Sequence, residues 1–483
     1  MRLLIIGGSD AGIMAGLRAR QLEPQTDVTL VVADQYPNYS ICGIPYHLSG
    51  DVPDWHDLAH RTQTDLEAAG LSLRLGTLAT SINADAHTVT VTKPDGNQET
   101  ISYDRLVVAT GARPAATGIT GLTGPDALGP ADCVHQLHTI DQMHAVQRTL
   151  VTRHPRRAVI IGAGYIGLEM AEALTRRGLD VTMLQHGPEV LSTLDTDLAS
   201  LVHSELVHHG VHVHLNTSVR SIQRGERGPV VISDDPTGTQ KISTDLVIAV
   251  TGIRPNTSLL TMAGATTGPG AAITVDDQMR TSLPDIYAAG DGVTTKHRLL
   301  GDTWLPLGTT AHKQGRIAGE NAVGGNATFA GVLGTQAVKV FSLVAARTGL
   351  RETEAHSADI PARSITYTTD DHKAYYPGSH PITIRLTGNP TTGQLLGAQI
   401  VGTYGTEIAK RSDILTTAIF TGLTIPQLSD LDLAYTPPLA APWDAIQATA
   451  QQWQQHSGGD RALHKWPCHP ANPREGLTAP TNQ

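Results

Sequence analysis

The chain has 483 residues, enough for roughly three domains of about 150 residues, each able to bury its own core. Its formal net charge of −10 is spread without blocks of like sign, which argues against a nucleic-acid partner. No apolar run approaches the roughly 20 residues of a membrane-spanning helix.

Residues 2–6 form an apolar run too short for a signal peptide, and it enters Gly7-Gly8 directly, so it predicts a first strand. Gly7-Gly8-Ser9-Asp10-Ala11-Gly12 follows, then a helix to about Leu22 and a strand over 28–32. The pattern returns at 157–161 with Gly162-Ala163-Gly164-Tyr165-Ile166-Gly167, a helix to about Arg177 and a strand over 180–184. Two such units predict an α/β chain with two Rossmann-like dinucleotide sites. In each, the glycines let pyrophosphate reach a helix N-terminus, where free N–H groups and the helix dipole favour an anion.

The second copy, Gly162, Gly164 and Gly167, is a full fingerprint between strand and helix. In the first, Gly7, Gly8 and Gly12 flank Ser9, which stands where the second glycine belongs. Asp34 is the acidic candidate for a ribose after the first copy, two residues later than the ideal position. After the second copy the strand ends Leu184-Gln185-His186 without an acid. An acid missing there removes repulsion of a 2′-phosphate, so NADPH is expected over NADH, near Gln185 and His186 and with Arg176 or Arg177 as further candidates. The alternative is a site that accepts both nicotinamides.

Cys42, Cys133 and Cys468 fit neither a zinc site nor a disulfide framework, and three scattered cysteines suit the reducing cytoplasm. The 22 histidines show no metal-ligand spacing, and no metal is expected. Cys42 opens a turn, Cys42-Gly43-Ile44-Pro45-Tyr46, where an adjoining helix N-terminus would lower the thiol pKa. The competing reading is an inert small apolar residue. From about Gly334, strands over 338–343, 364–367, 382–386 and 395–401 and a helix over 407–421 predict an α+β domain. After about Gln455 the chain turns polar, and 451–483 is expected as a flexible tail.

Five segments together resemble the pyridine-nucleotide disulfide oxidoreductases, in the single-cysteine branch of CoA-disulfide reductases, NADH oxidases and peroxidases, and persulfide reductases. They are CGIPY at 42–46, RLVVATGARP at 105–114, VTGIRPN at 250–256, TSLPDIYAAGD at 281–291 and LAYTPP at 433–438. The resemblance covers about residues 1–450. It implies FAD on the first glycine turn, with Thr110 and Gly111 at the domain crossing and Asp291 at the ribityl and pyrophosphate portion. It implies NAD(P)H on the second, with Tyr165 and Glu169 lining the nicotinamide pocket.

By the same resemblance, 1–115 with 253–334 bind FAD, 116–252 bind NAD(P)H, and 335–450 form a C-terminal α+β dimerisation domain. A homodimer with an active site shared between subunits is implied. Electrons would pass from NAD(P)H through FAD to Cys42, whose thiolate attacks the next disulfide. Tyr435, and one of Tyr375 and Tyr376, are candidate donors to the leaving thiolate; the alternative for the latter two is a packed core aromatic.

Departures narrow the reading. His47 stands five after Cys42, so the two-cysteine chemistry is missing. Asp10 replaces the histidine of the oxidases and peroxidases, which weighs against them. Gln21, Ile41, Asn38 and Val32 depart from the usual CoA-disulfide reductase residues, which puts CoA itself in doubt. The expected activity is reduction of a low-molecular-weight disulfide or per- or polysulfide. An NAD(P)H oxidase or peroxidase and a flavin-bearing redox sensor are the alternatives.

Overall fold

The structure, a computed structural model, describes residues 1–115, 118–124 and 126–457. Cys468 and residues 458–483 of the expected tail lie outside the described residues.

Short Val/Ile/Leu runs with no polar alternation suit strands covered on both faces. They form two wholly parallel five-stranded sheets. The first runs Ile286–Ala288, Arg105–Val108, Arg2–Ile6, Asp27–Val31, Leu71–Arg74. The second runs His212–His214, Asp180–Leu184, Arg157–Ile161, Leu246–Ala249, Val134–Gln136. The chain leaves the first sheet, builds the second, and returns to add Ile286–Ala288. The two passages pair antiparallel, Ala112–Pro114 against Ile253–Pro255. The two Arg-Pro motifs of the sequence are this crossing.

A third five-stranded sheet is antiparallel, in the order Gln336–Val340, Leu343–Gly349, Leu395–Thr403, Pro381–Gly388, Arg363–Asp370. The single strand expected over 338–343 is a hairpin, because Phe341 takes a left-handed φ of 51° and turns the chain. Two three-stranded antiparallel sheets were not expected. They are Leu78–Asn83 with Thr88–Thr92 and Gln98–Ser102, and Ser218–Arg224 with Pro229–Asp235 and Gly238–Ser243.

Helix Ala445–Ser457 corrects the expected start of the tail at 451. Its Trp453 is buried in the core of the third sheet with Ile384, Leu386, Ile400, Leu415 and Ile446. The Trp453 indole N–H donates to the Arg363 carbonyl at 2.9 Å. Polar glutamines around that tryptophan hid the helix in the sequence. Among the described residues no helix is long and apolar enough to cross a membrane.

Candidate active site

Both glycine turns leave the carboxyl end of a central strand and open a helix, Asp10–Leu22 or Tyr165–Arg176. Gly7 (φ 119°) and Gly162 (φ 105°) hold backbone angles that a side chain rarely takes, and a Cβ there would lie 2.1 Å from the Ala109 carbonyl oxygen and 2.6 Å from that of Val250. A Cβ on Gly12 or Gly167 would lie 2.0 or 2.1 Å from the carbonyl oxygen of Gly7 or Gly162. The two turns are therefore the same device, despite Ser9. Gly164 has nothing within 4 Å of where its Cβ would stand, which leaves a bare helix N-terminus for a pyrophosphate. Ser9 caps its helix by position but makes no side-chain capping bond, so its hydroxyl is left for a ligand.

The remaining expected FAD residues gather at the first turn. A Cβ on Gly292 would sit 3.3 Å from the Gly111 carbonyl oxygen, so the Asp291 turn abuts Thr110-Gly111. The Thr110 hydroxyl donates to the Asn256 carbonyl at 2.7 Å and braces the crossing. Burial, then the nearby Asp10 carboxylate, push Asp291 up to about 6. Val32, where the family's usual acid would fall, packs its methyls into the space left by Gly8, 2.6 Å from a Cβ built there. Asp34 accepts the Tyr36 N–H at 2.9 Å, and burial raises its carboxyl. Asn38, tied through its N–H to the Gly8 carbonyl at 2.7 Å, buries a carboxamide oxygen that has no partner among the described residues. An orphaned acceptor, a bare helix start and a desolvated carboxyl fit FAD at the first turn.

Cys42 lies in the one-turn 3-10 segment Ile41–Gly43 that leads into helix Ile44–Ser49. The thiol is open to solvent, yet protein around it strips part of its hydration. That burial, then the carboxylates of Glu169, Asp10 and Asp291, raise its pKa. This corrects the expected lowering: burial first, and then the three carboxylates, disfavour the thiolate. Among the described residues Cys42 and Cys133 are both free thiols.

Glu169 comes from helix Tyr165–Arg176, which packs on helix Ile44–Ser49. Tyr46, four residues after Cys42, donates to Glu169 Oε1 at 3.1 Å. Burial carries Glu169 from an ordinary 4.5 up to about 7, and burial beside Glu169 raises Tyr46 as well. Tyr165 donates to Gln336 at 2.5 Å and lies 3.1 Å from the Thr193 hydroxyl, which fixes its ring at the second turn. Tyr46, Thr193 and Gln336 were missed in the sequence, since each reaches the site through a partner far along the chain. One turn on from Glu169, buried Glu172 accepts from Lys339 Nζ at 2.5 Å and the Phe341 N–H at 2.7 Å. That pair ties helix Tyr165–Arg176 to the third sheet.

At the far end of the second turn, Gln185 accepts the Ala163 N–H at 3.1 Å, and His186 is exposed with Nδ1 2.8 Å from the Ser218 hydroxyl. Arg176 instead pairs with Asp51 at 2.6 Å, and the Arg177 guanidinium donates to the Leu48 carbonyl. Neither arginine approaches Gln185, because the helix ends beside the start of strand Asp180–Leu184, roughly 18 Å of helix from the glycine turn.

Tyr375, Tyr376 and Tyr435 are exposed, so none is a packed core aromatic. The Lys373 N–H donates to the Pro437 carbonyl at 3.3 Å, which brings their two segments together. Among the described residues no hydrogen bond or ring contact joins the three to Cys42 of the same chain.

The family model described as pyridine nucleotide-disulphide oxidoreductase matches residues 1–315, and its dimerisation-domain model matches 335–446. The chain belongs to the pyridine nucleotide-disulphide oxidoreductase family. This oxidoreductase is 34% identical to the NAD(P)H sulfur oxidoreductase (CoA-dependent) of Pyrococcus furiosus over 455 residues, covering 93% of the chain and 98% of that protein. It is 32% identical to the NADH oxidase of Methanocaldococcus jannaschii, covering 93% of the chain and 98% of that protein. Among solved structures, the NAD-dependent persulfide reductase of A. fulgidus superposes with a TM-score of 0.89 at 35% identity, over 94% of the chain and 83% of that one. FAD and NAD(P)H are the cofactors of the family, and its dimerisation domain makes this oxidoreductase a homodimer.

Proposed function

We propose that the chain is an FAD-dependent NAD(P)H oxidoreductase that reduces a low-molecular-weight disulfide, a persulfide or a polysulfide through the single thiol of Cys42. One observation carries the reading. The segment of Cys42 is bonded to both glycine-turn units: Asn38, four residues before it, donates its N–H to the Gly8 carbonyl at 2.7 Å, and Tyr46, four after it, donates to Glu169 of helix Tyr165–Arg176 at 3.1 Å. Residues 1–115 with 253–334 hold FAD, 116–252 hold NAD(P)H, and 335–450 pair the subunits.

Bound FAD supplies a two-electron relay between nicotinamide and sulfur. Gly8, Ser9 and Gly12 would offer backbone N–H groups to its pyrophosphate on the turn that Gly7 makes, whose own N–H is held by the Val31 carbonyl; Asp34 would hold its ribose, and Thr110, Gly111 and Asp291 its middle portion. Gly164 and Gly167 would do the same for NAD(P)H, on the turn that Gly162 makes with its N–H held by the Leu184 carbonyl. Tyr165 and Glu169 shape the nicotinamide pocket, and Glu169 accepts the hydroxyl of Tyr46, four residues after Cys42. Gln185 braces the second turn from within, and no acid beside His186 repels a 2′-phosphate, so NADPH is favoured over NADH. Cys42 attacks one sulfur of the substrate, the S–S bond breaks, and the departing sulfur takes a proton. Tyr435 of the partner subunit, and Tyr375 or Tyr376, supply that proton or a hydrogen bond, which makes the site shared between subunits.

The relative named NADH oxidase supports a second reading, with oxygen as acceptor. The FAD-loaded protein separates the two when NADPH and NADH oxidation are followed with a panel of disulfides and polysulfide, and with oxygen alone. Turnover that needs a sulfur acceptor, with a lower KM for NADPH, is expected. Full oxygen uptake without sulfur supports the oxidase, and no turnover with any acceptor supports a redox sensor.

A further inference from the structure

Three side chains from distant parts of the chain meet at the Cys42 end of the first glycine turn: Asp10, His60 and His312. One ligating atom of each lies within 4.8 Å of the others. Asp10 opens helix Asp10–Leu22, and His312 lies in the second turn of helix Gly308–Ala322. The two helices touch backbone to backbone: a Cβ on Gly315 would lie 2.2 Å from the Ala11 carbonyl oxygen, and one on Gly319 2.1 Å from that of Ala15. That contact sets His312 Nε2 3.4 Å from Asp10 Oδ1. His60 follows a segment tied to the lead-in of Cys42, with its N–H on the Asn38 carbonyl at 2.9 Å and Ser40 N–H on the Leu58 carbonyl at 2.8 Å. Its ring stands 6.1 Å from that of His312, at 72°.

The spacing suits a shared ion better than a hydrogen bond. A separation of 3.4 Å exceeds the usual N–H···O range of about 2.7–3.2 Å. Among the described residues neither the Asp10 carboxylate nor the ring nitrogens of His60 and His312 has a hydrogen-bond partner. Around a tetrahedral zinc, with ligands near 2.0–2.1 Å, donor atoms stand about 3.3 Å apart. Asp10 and His312 already hold that separation, and the exposed His60 side chain closes the rest by turning its ring. Two imidazoles and one carboxylate select a borderline first-row divalent ion over calcium or magnesium, which take oxygen ligands. Three protein ligands leave a fourth position open.

We propose that Asp10, His60 and His312 form a binding site for a divalent cation of the zinc class, next to the Cys42 turn. The site does not depend on which acceptor the enzyme reduces.

The test uses the FAD-loaded, chelator-treated protein, with Zn2+ uptake measured by equilibrium dialysis and titration calorimetry. The wild type is expected to bind one Zn2+ equivalent that His60→Ala and His312→Ala each lose or weaken roughly tenfold or more. His203→Ala, which removes an imidazole paired elsewhere with Glu189, is expected to keep it. Flavin absorbance and melting temperature report that the variants fold, and the exposed His60 keeps the test open should His312→Ala not. No Zn2+ equivalent in the wild type, or one unaffected by His60→Ala, overturns the proposal.

Discussion

Glu169 is the residue at which pH and chemistry meet. Burial penalises the ion and pushes its carboxyl from an ordinary 4.5 up to about 7. Protonation is therefore tighter in the folded chain than in the unfolded one. The stability this contributes is complete below about pH 4.5 and is lost as pH rises through about 7. Glu169→Gln, which cannot ionise, is expected to flatten the fall in melting temperature between pH 5.5 and pH 8, roughly that window; equal slopes in the two proteins would show that the carboxyl is not desolvated. The same variant removes a charge that raises the Cys42 thiol. Alkylation of Cys42 by iodoacetamide at neutral pH should quicken by about threefold for each half unit of thiol pKa recovered, and an unchanged rate would separate the two groups.

At the scale of elements, two contacts carry testable weight. Glu172 joins helix Tyr165–Arg176 to the third sheet through Lys339 and the Phe341 N–H. Glu172→Ala strands a buried N–H and an ammonium, and should cost roughly 2 kcal/mol in denaturant unfolding. Trp453 closes the core under helix Ala445–Ser457, where a Cβ on Gly388 would lie 2.8 Å from its ring. Trp453→Ala should cost about 3–5 kcal/mol, and a loss under 1 kcal/mol would mean that the helix is no part of the core. The βαβ units were legible because their signal is local: a strand, a glycine turn and a helix occupy adjacent residues. The sheets Leu78–Asn83 to Gln98–Ser102 and Ser218–Arg224 to Gly238–Ser243 were not, since their strands are short and polar on one face, and buried residues such as Val89 and Val231 meet their core partners only in the folded chain. Tyr46 with Glu169, and Asp10 with His60 and His312, were hidden for a related reason: folding, not spacing, brings them together. The motif at 42–46 singled out Cys42, but the direction of its pKa shift needed the burial, and then the carboxylates, that only the fold supplies.

Over the whole molecule, exposed Tyr375, Tyr376, Tyr404, Tyr435, Leu439 and Trp443 all belong to the region matched by the dimerisation domain. A dimerisation domain covers exposed side chains of this kind, and a two-fold dimer is the commonest way to do so. Leu439→Asp combined with Trp443→Asp should convert the dimer to a monomer in light scattering and abolish turnover, because Tyr435 then lacks a partner active site. A fully active monomer would remove the shared site. The central claim is that one thiol carries electrons to the acceptor, and it is tested most directly by Cys42→Ser with a disulfide or polysulfide as acceptor. The account predicts that NADPH oxidation with that acceptor stops while the full complement of FAD stays bound; acceptor-dependent turnover at the wild-type rate would contradict it.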